Sequence, residues 1–113
     1  MSRFGFVNSS RDDLQFEDHL TDLGSETREI FLDLRHFVKS LSDTVIEEVR
    51  PHRVVYAKTL NFRIFLDVQP KNDKLAIVLK YGRDKPESAL LISNDKDLEA
   101  AKSQISQAFQ EIK

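Results

Sequence analysis

The chain has no cysteine and no tryptophan, and only three glycines and three prolines among its 113 residues. Without cysteine, neither a disulfide nor a thiolate-bound metal can form, and a cysteine nucleophile is excluded. That composition fits a reducing compartment, so a cytoplasmic protein is expected. Gly5, Gly24 and Gly82 stand far apart. Neither a P-loop nor a dinucleotide fingerprint can be built, because both need clustered glycines to let a backbone approach phosphate. No serine sits in a G-x-S-x-G elbow. No apolar run approaches the ~18 residues of a membrane-spanning helix. The start, "MSRFGFVNSS", has no apolar stretch of signal-peptide length, so neither export nor a membrane partner is expected.

The remaining chemistry-bearing residues do not converge. His19, His36 and His52 lack the second histidine or carboxylate that marks a helix-borne metal site. His36 reads as a partly solvated helix residue, and His19, after "FED", as a local cap or hydrogen-bond partner. Glu47 and Glu48 are adjacent on an expected strand, where neighbouring side chains point to opposite faces, so they cannot form a carboxylate dyad. With no nucleophile, base and oxyanion donors in sight, no catalytic residue, cofactor or metal is expected.

What is present describes one folded domain. Hydrophobic residues make up 40% and charged residues 32%, which places the chain apart from disordered and membrane proteins. The net charge of −2 hides an uneven distribution. Residues 1–49 hold five Lys/Arg against eleven Asp/Glu, residues 50–85 nine against three, and residues 86–113 three against five. A basic middle between acidic ends can mark an electrostatic footprint, or can arise because packed elements neutralise one another.

Residues 1–11 show no period and are expected to form a flexible arm, with a single α+β domain over 12–113. A short helical turn or two is expected around Phe16, Leu20 and Leu23, stopped by Gly24, with Ser25 as the next N-cap. Ile30, Phe31, Leu34, Phe37, Val38 and Leu41 make one stripe at helical spacing, which predicts a main helix over about 26–41. The period then shortens. "TVIEEV", "HRVVYAK", "NFRIFLDV", "KLAIVLKY" and "SALLIS" read as strands separated by turn residues such as "QPKND" and "GRDKPE". The close is helical again, with Asn94 placed to cap, Asp97 at the third position, and Leu98, Ala101, Ile105, Phe109 and Ile112 in a stripe. Short connections force antiparallel neighbours. The expectation is an α+β two-layer sandwich, an antiparallel sheet of about four or five strands with both helices on one face.

One residue breaks the pattern. In "LNFRIFLDVQ", Phe62, Ile64, Leu66 and Val68 alternate onto one face, which leaves Asn61, Arg63, Phe65 and Asp67 on the other. Alternation thus turns Phe65 outward, beside Val78 and among Lys74 and Lys80 of the next strand. The second strand has two phases open, one turning Arg53, Val55 and Ala57 outward and the other His52, Val54, Tyr56 and Lys58. An aromatic ringed by cations is what sheet-surface nucleic-acid binders use, the ring stacking on a base while Lys and Arg follow the phosphates. The same face suits a homodimer or another protein partner, or cover by the arm through Phe4 and Phe6. The candidate binding surface is therefore Arg53, Lys58, Arg63, Phe65, Lys74 and Lys80, with Lys58, otherwise read as a residue that keeps the edge soluble, among the first to test for a small anion.

"EDHL" (17–20), "SETREIFLDLRHFV" (25–38), "VVYAKTLNFRIFLDVQPKNDKLAIVLK" (54–80) and "DLEAAKSQISQAF" (97–109) together resemble the domain of unknown function 5655 family over roughly residues 12–112. The likeness lies in His-Leu before the helix, Leu-Arg within it, Tyr-x-Lys and Asn-Phe across the turn, and an aromatic-ended last helix. "GRDKPES" lacks the aromatic-Gly pair associated with that loop. The resemblance implies a small domain found alone or at the end of larger bacterial and archaeal proteins, some nuclease-like. It supplies no catalytic residues. The reading is an uncharacterised, non-enzymatic binding or interaction module. Two alternatives stand beside it, a nucleic-acid-associated accessory domain and a small-molecule enzyme whose site the sequence does not display.

Overall fold

The structure, a computed structural model, describes residues 15–58 and 63–112. The expected arm over 1–11, and Asn61 and Phe62, lie outside the described residues. A single 3-10 turn, Phe16–His19, comes first. Helix α1 (Ser25–Lys39) follows, then strands β1 (Ile46–Arg50), β2 (Arg53–Lys58), β3 (Arg63–Pro70), β4 (Leu75–Leu79) and β5 (Ser88–Ile92), and finally helix α2 (Asp95–Glu111). The strands form one sheet in the order β1-β2-β3-β4-β5, every neighbouring pair antiparallel. This is the expected α+β sandwich, with five strands. Helix α2 packs across β3, β4 and β5 and against α1.

Each helix buries the stripe its sequence carries. Ile30, Phe31, Leu34 and Val38 of α1 and Leu98, Ala101, Ile105 and Ala108 of α2 are buried. They meet Val54, Tyr56, Leu66, Val68, Leu75, Ile77 and Leu79 from the sheet in one core. Asn94 caps α2 as its position predicts: its Oδ1 accepts the Asp97 amide at 2.8 Å, and the Asp97 carboxylate accepts the Ser93 amide at 3.0 Å. Ser25 does not cap α1. The N-cap is Gly24, whose carbonyl already accepts the first helical bond from the Arg28 amide at 2.9 Å, so Ser25 lies inside the helix. No helix among the described residues is long and apolar enough to cross a membrane.

The main correction concerns β3. Val54, Val55 and Tyr56 face Val68, Asp67 and Leu66 in regular order, but Ala57 then faces Ile64. Phe65 is the extra residue of a β-bulge. A bulge inserts one unpaired residue and reverses the alternation beyond it, so Phe65 and Leu66 both turn to the helices and both are fully buried. Residues before the bulge change face as well. Ile64 now shares the outer face with Ala57, and Arg63 shares the helix side with Lys58, because directly opposed residues of an antiparallel pair project to one side. Of the two phases open for β2, the observed one turns Arg53, Val55 and Ala57 away from the helices. The outer face is not bare at its centre: Val55 and Ala57 are buried there too.

Candidate functional site: a basic cleft at one end of the sheet

The six residues singled out from sequence do not form one surface. Phe65 cannot be a stacking platform. It is 0% exposed, and its ring meets Phe109 of α2 edge-on with centroids 5.1 Å apart. Arg53 lies on the outer face, where its Nη1 donates to Asp67 Oδ2 at 2.8 Å. Lys74 sits at the far end of β4 beside Asp73 at 3.9 Å. Lys58 is committed to α2: its Nζ donates to the Ile112 carbonyl at 3.0 Å and lies 4.7 Å above the Phe109 ring. A cation at a helix C-terminus satisfies a carbonyl that has no helical partner and complements the helix dipole. Lys58 is therefore a structural clasp. Arg63 and Lys80 remain, and the structure brings these two together.

The cleft they share has a volume of about 350 Å³ and is lined by Arg63, Ile64, Lys80, Gly82, Arg83, Lys85, Glu87 and Ile112. A second hollow of about 280 Å³ adjoins it through Arg63, Gly82, Arg83, Lys85 and Ile112, and adds Tyr81, Asp84 and Glu111. Three elements build this end of the molecule. The bulge at Phe65 turns Arg63 to the helix side, the turn between β4 and β5 supplies Arg83 and Lys85, and the end of α2 supplies Ile112. The turn closes with the Lys85 amide donating to the Gly82 carbonyl at 3.2 Å, which places Arg83 and Asp84 at its tip. Gly82 has φ of +144°, a backbone conformation that side-chain-bearing residues rarely adopt.

The charges in the cleft divide into two kinds. Lys80 lies 3.8 Å from Glu87, and Lys85 donates to Glu111 at 2.7 Å. The Lys85 partner, together with a hydrogen bond from Gln107, holds the Glu111 carboxyl below the usual carboxylate range. Arg63 and Arg83 make neither an ion pair nor a side-chain hydrogen bond with any described residue. Two planar guanidinium groups thus stand ready at a concave site with Ile64 and Ile112 in its wall. Such groups match the paired oxygens of phosphate or carboxylate. Arg83 and Lys85 do not stand out in the sequence because a turn has no periodicity to place them. The usable signal was the run "KYGRDK" at 80–85, three cations around a glycine.

Two other polar groupings are differently disposed. Another cavity, of about 510 Å³, lies at the opposite end of the sheet between the 3-10 turn and the loops around Pro51 and Pro70. Its acids and bases are mixed and partly committed. Asp18 accepts the Gln15 amide at 2.9 Å, and His19 donates through Nε2 to the Arg50 carbonyl at 2.7 Å, a contact 31 residues away rather than a local one. Among the described residues no three His, Asp or Glu side chains gather as metal ligands. The second grouping is internal. Arg35 of α1 donates twice to Glu47 of β1, both at 2.9 Å, and Tyr56 of β2 donates its hydroxyl to the same carboxylate at 2.8 Å. The Arg35 guanidinium also lies 4.2 Å over the Phe16 ring. Burial, then the Glu47 carboxylate, pushes the Tyr56 phenol well above its ordinary value, so it stays protonated. This network fastens α1 and the 3-10 turn to the first two strands.

Fold and cleft together define a small α+β sandwich with a basic recess at one sheet end. Comparison with models of known protein families, with curated proteins and with solved structures finds no match for the chain.

Proposed function

We propose that this protein is a non-enzymatic binding module whose ligand is anionic, and that the cleft at Arg63, Lys80, Arg83 and Lys85 receives it. The observation that carries the reading is the pair of uncommitted guanidinium groups, Arg63 and Arg83, at one concave site. Elsewhere the arginines of the first two strands are neutralised in place: Arg50 by Glu48 at 2.6 Å and Arg53 by Asp67 at 2.8 Å. Exposed ion pairs of the kind made by Lys80 and Lys85 contribute little, so an incoming anion can exchange with Glu87 and Glu111. The resemblance to the domain of unknown function 5655 family, with its nuclease-like neighbours, makes nucleic acid one natural source of that anion.

The test is an amide NMR titration of the isotope-labelled chain with short DNA and RNA, single- and double-stranded, at low and then moderate salt. The expected result is movement of amides in 63–66 and 80–87 that shrinks as salt rises, because counterion release makes phosphate binding salt-sensitive. Titrations that leave those amides unmoved at low salt defeat the reading.

A second reading, a protein partner or a second copy of the chain, is favoured by Leu91. It is 61% exposed on the edge strand β5, whose residues "SALLI" carry no charge. Uncharged edges are the ones that accept another strand.

A further inference from the structure

Resting on the anion-binding reading above, we infer that the cleft recognises a single terminal phosphate, a phosphate monoester carrying close to two charges, rather than a track of backbone phosphates.

The first argument is the placing of the cations. Arg63 comes from the start of β3, Lys80 from just beyond β4, and Arg83 and Lys85 from one turn, and all four line the same recess. Proteins that follow a nucleic-acid backbone instead carry cations along a groove, with rings on which successive bases stack. The outer sheet face offers no such groove. Arg50 is paired with Glu48, Arg53 with Asp67 and Lys74 with Asp73, and Phe65 is inside. The two arginines without a carboxylate partner, Arg63 and Arg83, share one recess instead of lying along a track.

The second argument is chemical. A monoester presents three terminal oxygens, enough to accept from two guanidinium forks at once, and Arg63 and Arg83 are the two with donors to give. A diester link presents two free oxygens and one negative charge. It must compete with Glu87 for Lys80 and with Glu111 for Lys85 at half the charge of a monoester. The carboxylates at the rim thus act as a threshold that a dianion crosses more readily than a monoanion. Ile64 and Ile112 add apolar wall, which weakens screening of the charges inside.

The experiment uses the full chain and three probes: ribose 5-phosphate, a short single-stranded oligonucleotide with a 5′-phosphate, and the same oligonucleotide with a 5′-hydroxyl. Amide shifts and affinities are measured at two salt concentrations. Both phosphorylated probes are expected to move amides in 63–66 and 80–87, with the hydroxyl-ended strand at least tenfold weaker. The double variant Arg63→Gln/Arg83→Gln is expected to keep its far-UV circular dichroism and lose at least tenfold in affinity for ribose 5-phosphate. If only ribose 5-phosphate binds, the monoester assignment holds and its source is a small metabolite. If only the phosphorylated strand binds, it holds and the source is a nucleic-acid end. Equal binding of both oligonucleotides, with salt sensitivity growing with strand length, overturns the monoester assignment and leaves the anion-binding reading standing. No movement with any probe overturns both.

Discussion

The rings of Phe65 and Phe109 meet at an interplanar angle of 73°, with centroids 5.1 Å apart, and this contact joins the bulge of β3 to the last turns of α2. Phe65 is wholly buried, whereas simple alternation along β3 turns it outward. The bulge therefore does two things at once: it seats an aromatic in the core and turns Arg63 toward the cleft. Edge-to-face pairs of this kind add ~0.5–1.5 kcal/mol beyond the area they bury.

Phe65→Ala is accordingly expected to destabilise the fold by about 3–5 kcal/mol, the range for emptying a buried aromatic site. Denaturant unfolding measures it directly. A variant with an unchanged midpoint would show that Phe65 is not a core residue, and the outward reading of β3 would return.

The Arg35–Glu47–Tyr56 network makes a graded prediction. Glu47→Ala leaves a half-buried guanidinium and a buried hydroxyl without their acceptor, and is expected to cost about 3 kcal/mol, the low end for a broken buried pair because Arg35 keeps some contact with water. Tyr56→Phe removes one hydrogen bond and leaves the ring in place, so about 1 kcal/mol is expected. Thermal unfolding of both single variants and the double variant gives the coupling. Additive losses would mean that Tyr56 and Glu47 act independently, contrary to their 2.8 Å hydrogen bond.

The same network predicts a direction with pH. Burial and the neighbouring carboxylate raise the Tyr56 pKa in the folded state above the ordinary phenol value of about 10. Folded protein then holds this proton more tightly than unfolded protein does. The stabilisation is fully present below about pH 10 and is lost progressively as pH rises beyond it. Tyr56→Phe is expected to flatten the alkaline fall in stability, followed by denaturant midpoints across that range. An equally steep fall in the variant would assign the effect to other groups.

Much of the architecture was legible in the sequence, and the reason is visible in particular residues. The stripe Ile30, Phe31, Leu34 and Val38 has one periodic solution, and Asn94 with Asp97 marks where α2 begins. "QPKND" and "GRDKPE" separate strands too closely for a crossover, which forces the meander. The bulge was not legible, because no glycine or proline marks Phe65 and a period of two continues unbroken through it on paper. The network was half legible. Glu47 alternates with Val45 and Val49, so an acid was aimed at the core, but its partners lie 12 and 9 residues away and depend on the pairing Glu47↔Tyr56. The cleft needed that same three-dimensional register, since the β4–β5 connection and a helix end supply most of its lining.

Gly82→Ala tests how the turn presents Arg83. At φ +144° an added Cβ meets no atom within 4 Å, so the penalty is one of backbone conformation alone. A strain of about 1–3 kcal/mol is expected, and the chain can relieve part of it by re-aiming the tip of the turn. Binding to the cleft should therefore weaken more than global stability falls, a split that unfolding and titration of one variant resolve. Stability loss with unchanged binding would detach Arg83 from the site.

Leu91 supplies the last test, on the edge strand β5. Its side chain is 61% exposed and stands on the outer face opposite Ala76, with Ala89 and Val78 as the next pair. Lysine there keeps the strand backbone intact and adds a charge of the kind natural edge strands carry against unwanted pairing. Leu91→Lys is expected to change stability by no more than ~0.5 kcal/mol, as exposed substitutions generally do. If copies of the chain associate through β5, the same change should move the sedimentation profile toward monomer at high concentration, while Arg63→Gln/Arg83→Gln leaves association untouched. If the wild-type chain sediments as a monomer throughout, self-pairing at β5 is excluded.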